Sequence, residues 1–217
     1  MIPEYIELET TKNPDSTIIW LHGLGADGHD FEAIVPELGL PGDMAIRFIF
    51  PHAPFRPITL NNGYVMRGWY DIKSLTFGSD EDIDGIKDSA DALGQLVERE
   101  IARGIPAHRI ILAGFSQGGA IVLYTGLTTS KPLAGLMVLS SYLPLAQHLP
   151  TDMTSNLNIF MGHGRQDDIV RFEYGQGSRQ QLENRGLTVE WHDYEMAHSV
   201  CAEEIDHIRE WIIKRLK

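Results

Sequence analysis

Residues 109–120, RIILAGFSQGGA, carry a β-branched apolar run into Gly114-Phe115-Ser116-Gln117-Gly118 and then into small residues suited to a helix start. A serine placed between strand and helix in this way demands a sharp backbone reversal that lifts its hydroxyl away from the sheet. Glycines two residues before and two after it leave space where side chains would strike the strand and the helix. A chain with such a turn must lay a helix back over a strand, so the segment points to an α/β architecture with an exposed serine at a strand end.

Composition narrows the setting. The 217 residues suit one α/β domain spanning 1–217, and 43% hydrophobic residues supply a substantial core. Eighteen basic residues against thirty acidic ones give a net charge of −12. No Lys/Arg cluster interrupts that balance, which argues against nucleic acid and anionic membrane surfaces as partners. A single Cys excludes an internal disulfide and suits a reducing compartment. The first residues lack a basic segment followed by an apolar one, and no apolar run is long enough to span a bilayer, so a cytoplasmic protein without integral membrane association is expected.

β-rich apolar runs recur at 5–8, 17–21, 45–50, 109–113, 136–139, 158–161 and 187–191. Several are continuous rather than alternating, as strands covered on both faces require. Helical patterns lie between them at 81–103, 116–128, 171–184 and 202–216. The first has a stripe of Ile83, Ile86, Ala90, Leu93, Leu96, Val97 and Ile101, with Asp80 or a neighbouring acid as its cap and Gly104 before Pro106 as its end. The alternation predicts a mainly parallel central sheet with helices on both faces. Residues 51–78 break the rhythm: the stretch is too long for an ordinary connection and reads as a loop bordering a binding site. Met66, Trp69, Tyr70 and Phe77 are expected to offer a ligand apolar surface there.

A serine hydroxyl needs a base, and a histidine base needs a carboxylate to hold its tautomer. On open α/β sheets with such a turn, the order is Ser, then acid, then His. After Ser116, the acid falls just beyond the 158–161 strand, where Asp167 and Asp168 are adjacent candidates. The base falls in the last loop, at His198. His22 and His163, each before a glycine at a strand end, are expected to bond loop backbone. His29 and His52 imply no carboxylate partner. No HxH or HExxH pair points to a metal, and the reaction needs no cofactor. Cys201 has no turn of this kind around it. Oxyanion donors are expected from the Gln117 amide, at a helix N-terminus, and from the Leu24 amide in the Gly-rich bend His22-Gly23-Leu24-Gly25.

These motifs, with Phe50-Pro51-His52-Ala53-Pro54, Trp69-Tyr70-Asp71, His163-Gly164 and Ala197-His198-Ser199, fall in order along nearly the whole chain. Together they resemble the acyl-protein thioesterase and small carboxylesterase (phospholipase/carboxylesterase) group of α/β hydrolases. The resemblance implies a triad of Ser116, Asp167 and His198, with Asp168 in a variable place. It also implies an oxyanion hole at Leu24 and Gln117, and an acyl pocket bordered by the loop carrying Trp69. Arg171 stands where the family commonly has Pro, which predicts a different local turn. The implied substrates are short- to medium-chain acyl esters, lysophospholipids or S-acyl thioesters on protein cysteines. The sequence reading places carboxylic-ester hydrolysis first and protein S-acyl thioesterase activity second. Some members of the group imply a homodimer, on which composition is silent. A hydrolase-fold binding module without turnover is the remote alternative.

Overall fold

The β-branched runs form strands because only a sheet covered on both faces can bury every residue of a continuous apolar stretch. The structure is a computed structural model that describes residues 2–74, 80–149 and 157–217. Its elements run β1 (Tyr5–Glu9), β2 (Ser16–Leu21), α1 (Ile34–Glu37), β3 (Ile46–Pro51), β4 (Phe55–Ile58), β5 (Tyr64–Arg67) and α2 (Ile83–Ala102). They continue with β6 (Ile110–Phe115), α3 (Gln117–Thr128), β7 (Gly135–Leu139), β8 (Asn158–Gly164), α4 (Phe172–Asn184), β9 (Thr188–Tyr194) and α5 (Ala202–Leu216). Among the described residues, no helix is long and apolar enough to cross a membrane.

A seven-stranded sheet has the order β1-β3-β2-β6-β7-β8-β9, with β1 antiparallel to β3 and every other pairing parallel. Strand alternation divides the core between its two faces. Ile19, Leu21, Leu112, Leu136 and Val138 pack with Ile86, Leu93 and Val97 of α2 and Ile121 of α3. Ile18, Trp20, Phe48, Ile111 and Phe160 pack on the other face with Ile208, Trp211 and Ile212 of α5. After β2 the chain places β3 on one side of it, then crosses to lay β6 on the other. In open α/β sheets the crevice at such a reversal, beyond the strand C-termini, is where ligands bind. The Leu24 bend follows β2 and Ser116 follows β6, so the sheet order itself brings these two loops together.

Two elements depart from the sequence reading. Residues 51–78 are not one loop: β4 and β5 form an antiparallel hairpin from Phe55↔Arg67 to Ile58↔Tyr64. Its turn places Asn62 at φ 54° and Gly63 at φ 76°, left-handed conformations that Asn and Gly accept most readily. The hairpin is mostly outside the core, and Phe55, Tyr64 and Val65 are exposed. The four residues of α1 are too few to show an amphipathic stripe. Phe77 lies outside the described residues.

The cap of α2 is Asp82, not Asp80. Its Oδ1 accepts from Gly85 N at 3.1 Å, and its Oδ2 accepts from Asp71 N at 2.8 Å, tying the segment that leaves the hairpin to the helix start. Asp82→Ala is expected to lower stability by about 1–2 kcal/mol, because it removes a helix cap and leaves a second amide without its acceptor. Urea denaturation checks this; an unchanged midpoint would contradict it.

Candidate active site

Ser116 joins β6 to α3 with φ 54° and ψ −120°, a region that non-glycine residues rarely occupy and that costs on the order of 1–3 kcal/mol. Hydrogen bonds hold it there. Its N–H donates to Leu139 O of β7 at 2.8 Å, and Ser141 Oγ donates to Ser116 O at 2.6 Å. The flanking glycines are required by contact. A Cβ on Gly114 would stand 2.5 Å from the Gly118 carbonyl, and one on Gly118 would stand 2.5 Å from Leu21 O and 2.7 Å from His22 O. The β2 and β6 ends and the start of α3 therefore meet backbone to backbone.

The bend after β2 lies directly on this turn: a Cβ on Gly23 would touch the Phe115 ring and Ser116 Cβ, at 3.3 and 3.4 Å. His22 shapes it. His22 Nε2 accepts from Ala53 N at 3.0 Å, which leaves Nδ1–H to donate to Gly23 O at 2.7 Å. Burial pushes the His22 pKa down to about 4, so the ring is neutral at pH 7. Gly25, at φ 80°, donates to Arg67 O at 2.8 Å and so fixes the hairpin beside the bend. Gln117 is the first residue of α3, where a backbone N–H has no intrahelical acceptor. Its side chain, read in the sequence for its backbone alone, is a brace: Oε1 accepts from Trp69 N at 2.8 Å and Nε2 donates to Tyr70 O at 2.7 Å.

Trp69 and Tyr70 are both 2% exposed and support the site from within rather than laying open apolar surface. Trp69 Nε1 donates to His22 O at 2.9 Å, and Ser89 Oγ donates to Trp69 O. The Tyr70 and Tyr142 hydroxyls bond each other at 2.8 Å. Met66 is half-buried, its sulfur 3.6 Å from where a Gly25 Cβ would stand. Among the described residues of this region, the exposed large apolar side chains are on the hairpin, which the sequence reading did not recognise.

The adjacent aspartates separate cleanly. Asp168 is exposed, whereas Asp167 is 5% exposed and its Oδ2 lies 2.7 Å from His198 Nδ1. Asp167 Oδ1 accepts from Ile169 N at 3.0 Å and Val170 N at 2.9 Å. Burial works to raise the Asp167 pKa, but the adjacent His163 ring and the hydrogen bonds from His198 and Val170 N outweigh it and hold the carboxyl well below the usual range. His163 Nε2–H donates to Val170 O at 2.7 Å and lies 3.4 Å from Asp167 Oδ2, so its backbone bond locks the acid loop. Arg171 has φ −51° and ψ 143°, a φ that a proline ring would also impose, so the backbone at this position is one that proline could adopt. The His198 ring packs on Phe115 at 4.7 Å between centroids, which seats it beside the Ser116 turn. With Nδ1–H on Asp167, Nε2 is left as a proton acceptor. His29, expected without an acidic partner, has one: its Nδ1 is 2.8 Å from Glu32 Oε2 at the surface.

Residues 5–216 match the sequence model of the family described as Phospholipase/Carboxylesterase. Acyl-protein thioesterase 1 of Neurospora crassa is 40% identical over 213 residues, covering 93% of this chain and 87% of that one. Acyl-protein thioesterase 1 of Yarrowia lipolytica is 39% identical over 212 residues, covering 93% and 92%. Among solved structures, Arabidopsis thaliana SOBER1 superposes with a TM-score of 0.85 at 34% identity, covering 93% of this chain and 99% of that one. Zea mays acyl-protein thioesterase 2 gives 0.85 at 28%, covering 99% and 100%.

The buried neutral His22 carries a pH signature. Its folded pKa, about 4, lies below the ordinary 6.5, so between those values the unfolded chain binds a proton that the folded chain refuses. Stability therefore rises with pH across that window and is lost as pH falls through it. From pH 7 to pH 5 the loss due to His22 is about 2 kcal/mol. Urea titrations at both pH values should show His22→Asn with a correspondingly smaller pH difference than the parent; equal differences would contradict this assignment.

Proposed function

The chain belongs to the phospholipase/carboxylesterase family of α/β hydrolases and is a serine hydrolase, and from that premise we propose that it removes acyl groups from protein cysteines by hydrolysing their thioesters. Relatives about 40% identical over most of the chain bear the name acyl-protein thioesterase 1, which favours this over the small-ester hydrolysis that the sequence reading put first. For the chemistry, the observation that carries the reading is the 2.7 Å bond from His198 Nδ1 to buried Asp167, set beside the strained Ser116 turn.

Ser116 Oγ attacks the thioester carbonyl carbon while His198 Nε2 takes the hydroxyl proton. Asp167 holds the imidazole tautomer and balances the imidazolium. The oxyanion is received by the Leu24 and Gln117 amides, the second at the positive end of α3. Collapse breaks the C–S bond, and His198 returns its proton to the departing cysteine sulfur. Water, deprotonated by His198, then attacks the acyl-serine and releases the carboxylic acid and Ser116. The hairpin fixed beside the Leu24 bend exposes Phe55, Leu60, Tyr64 and Val65, apolar surface along which an acyl chain can lie. Oxygen esters, lysophospholipids included, meet the same groups and are the second reading, favoured by the family description.

Two measurements test this. On an S-acylated cysteine peptide and the matching nitrophenyl ester, kcat/KM is expected to favour the peptide; preference for the ester, with no release of free thiol, would return the assignment to a carboxylesterase. Asp167→Asn should lower kcat by roughly 10⁴, whereas Asp168→Asn should remain within a fewfold of the parent. The reverse pattern would move the acid to Asp168.

A further inference from the structure

The inward stripe of α5 begins with a residue foreign to a core. Glu204, Ile208, Trp211 and Ile212 are spaced to face the sheet, and Glu204 is 0% exposed, as Ile208 and Ile212 are. Neither of its carboxyl oxygens has a hydrogen-bond partner among the described residues, and no cationic side chain offsets its burial. A carboxyl buried without donor or counter-charge is held as the neutral acid, because the ionised form would give up its water for nothing in exchange. Burial accordingly pushes its pKa up to about 8, against a weaker pull from the nearby Cys201 amide.

Its position ties this acid to both loops that hold the imidazole. A Cβ on Gly162 of β8 would collide with Glu204 Oε1 and stand 3.3 Å from Tyr194 Cε2, so the carboxyl lies where the start of α5 meets the ends of β8 and β9. From Gly162 the chain runs through His163 into the Asp167 loop, and α5 starts from its cap Cys201, three residues past His198. The two loops also touch each other: a Cβ on Gly164 would strike Met196 O and Ala197 O, and Gln166 N donates to Met196 O at 3.1 Å. A shift of the α5 start against β8 is therefore passed to the chain that bears His198.

The other titratable groups of the junction are His192, Asp193 and Tyr194 of β9 and Cys201, Glu203 and His207 at the start of α5, while His163 of β8 is on the opposite face of its strand. Asp193 is paired with Arg165. The Tyr194 hydroxyl lies 3.1 Å from His207 Nδ1, and burial, then the charge of Glu204, pushes its pKa up, so the phenol stays protonated. The His207 ring stacks on His192 at 4.2 Å between centroids. An ionised Glu204 must gain donors, and the helix start offers water and the first-turn amides of α5, which have no acceptor within the helix. Reaching either draws the carboxylate off Gly162. We propose that Glu204 is an alkaline switch on the catalytic centre: as the neutral acid it seals α5 against β8 and keeps His198 on Asp167, and as the carboxylate it loosens that seal and slows Ser116. The inference rests on the serine-hydrolase reading for its rate readout.

The full chain is followed from about pH 6 to pH 9.5 by two readouts. One is the rate at which an alkyl fluorophosphonate labels Ser116; the other is the ¹³C signals of the Glu204 carboxyl and of the Met196 and Val200 methyls. With a midpoint near 8 the neutral share of Glu204 falls from about nine tenths at pH 7 to about one tenth at pH 9. Labelling should therefore be about tenfold slower at pH 9 than at pH 7, and the three ¹³C signals should titrate together. Glu204→Gln keeps the shape and never ionises, so it should label equally fast at both pH values with the methyl titration gone; should it fail to fold, Glu204→Met takes its place. A thiol ordinarily ionises in the same range, so Cys201→Ser is the control and should keep the alkaline fall. A fall that survives in Glu204→Gln, a fall lost in Cys201→Ser, or a parent whose labelling stays level to pH 9 would overturn the proposal. A parent never labelled at any pH would refute the nucleophile instead, and methyl signals that do not follow the Glu204 carboxyl would then refute the switch.

Discussion

The backbone of Ser116, at φ 54° and ψ −120°, is the conformation on which the other parts of the centre converge. Local strain of this size persists only where surroundings over-determine it. Here they are the carbonyls of Leu21, at the end of β2, and of His22 just after it, pressed against Gly118, the β7 carbonyl of Leu139 on the Ser116 amide, and Ser141 Oγ on its carbonyl. Three adjacent strands and one helix thus fix a single residue. The same sheet order that opens the crevice between the β2 and β6 ends also builds the clamp. Fold and site are in this sense one construction, because relaxing the turn would require separating strands that are buried on both faces.

Electrostatics distributes roles among similar side chains. Three histidines stand at strand ends or in the loop after one, yet their hydrogen bonds set them apart. His22 is neutral, held between Ala53 N and Gly23 O, and serves as loop scaffold. His163 is fully buried and donates to Val170 O, which holds the acid loop. Only His198 directs a nitrogen at 2.7 Å to Asp167 while retaining 16% side-chain exposure. Nearby, Glu204 at the start of α5 is buried, and burial pushes its pKa up to about 8. It is therefore mostly neutral at pH 7, and Asp167 is the ionised carboxylate behind the imidazole.

Much of this was legible in the sequence where a physical requirement leaves few residue choices. Strands buried on both faces need unbroken apolar runs, as in β2, β6 and β7, whereas the partly exposed edge strands β1 and β9 stood on mixed runs. The Ser116 turn needs glycines at fixed offsets, and acid and base must follow strands in order. Legibility failed where neighbours satisfy the same rule: Asp167 and Asp168 both follow β8, and burial of one against the other is a tertiary outcome. The β4–β5 hairpin escaped because Pro57 and short exposed strands hide its alternation, although Asn62-Gly63 carried the turn signal. The Gln117 clamp escaped because a side chain reaching Trp69 and Tyr70 depends on a segment 47 residues distant in sequence. Trp69 and Tyr70 looked like ligand surface because hydrophobicity does not say which wall a residue faces.

The central claim is that the fold strains Ser116 in order to present a nucleophile activated by His198. The most direct measurement is intact-mass and peptide mapping of the folded protein after exposure to an alkyl fluorophosphonate. The account predicts one stoichiometric adduct located on Ser116, formed far more slowly in His198→Ala and absent after heat unfolding. A folded protein left unlabelled, or labelled at another residue, would contradict it.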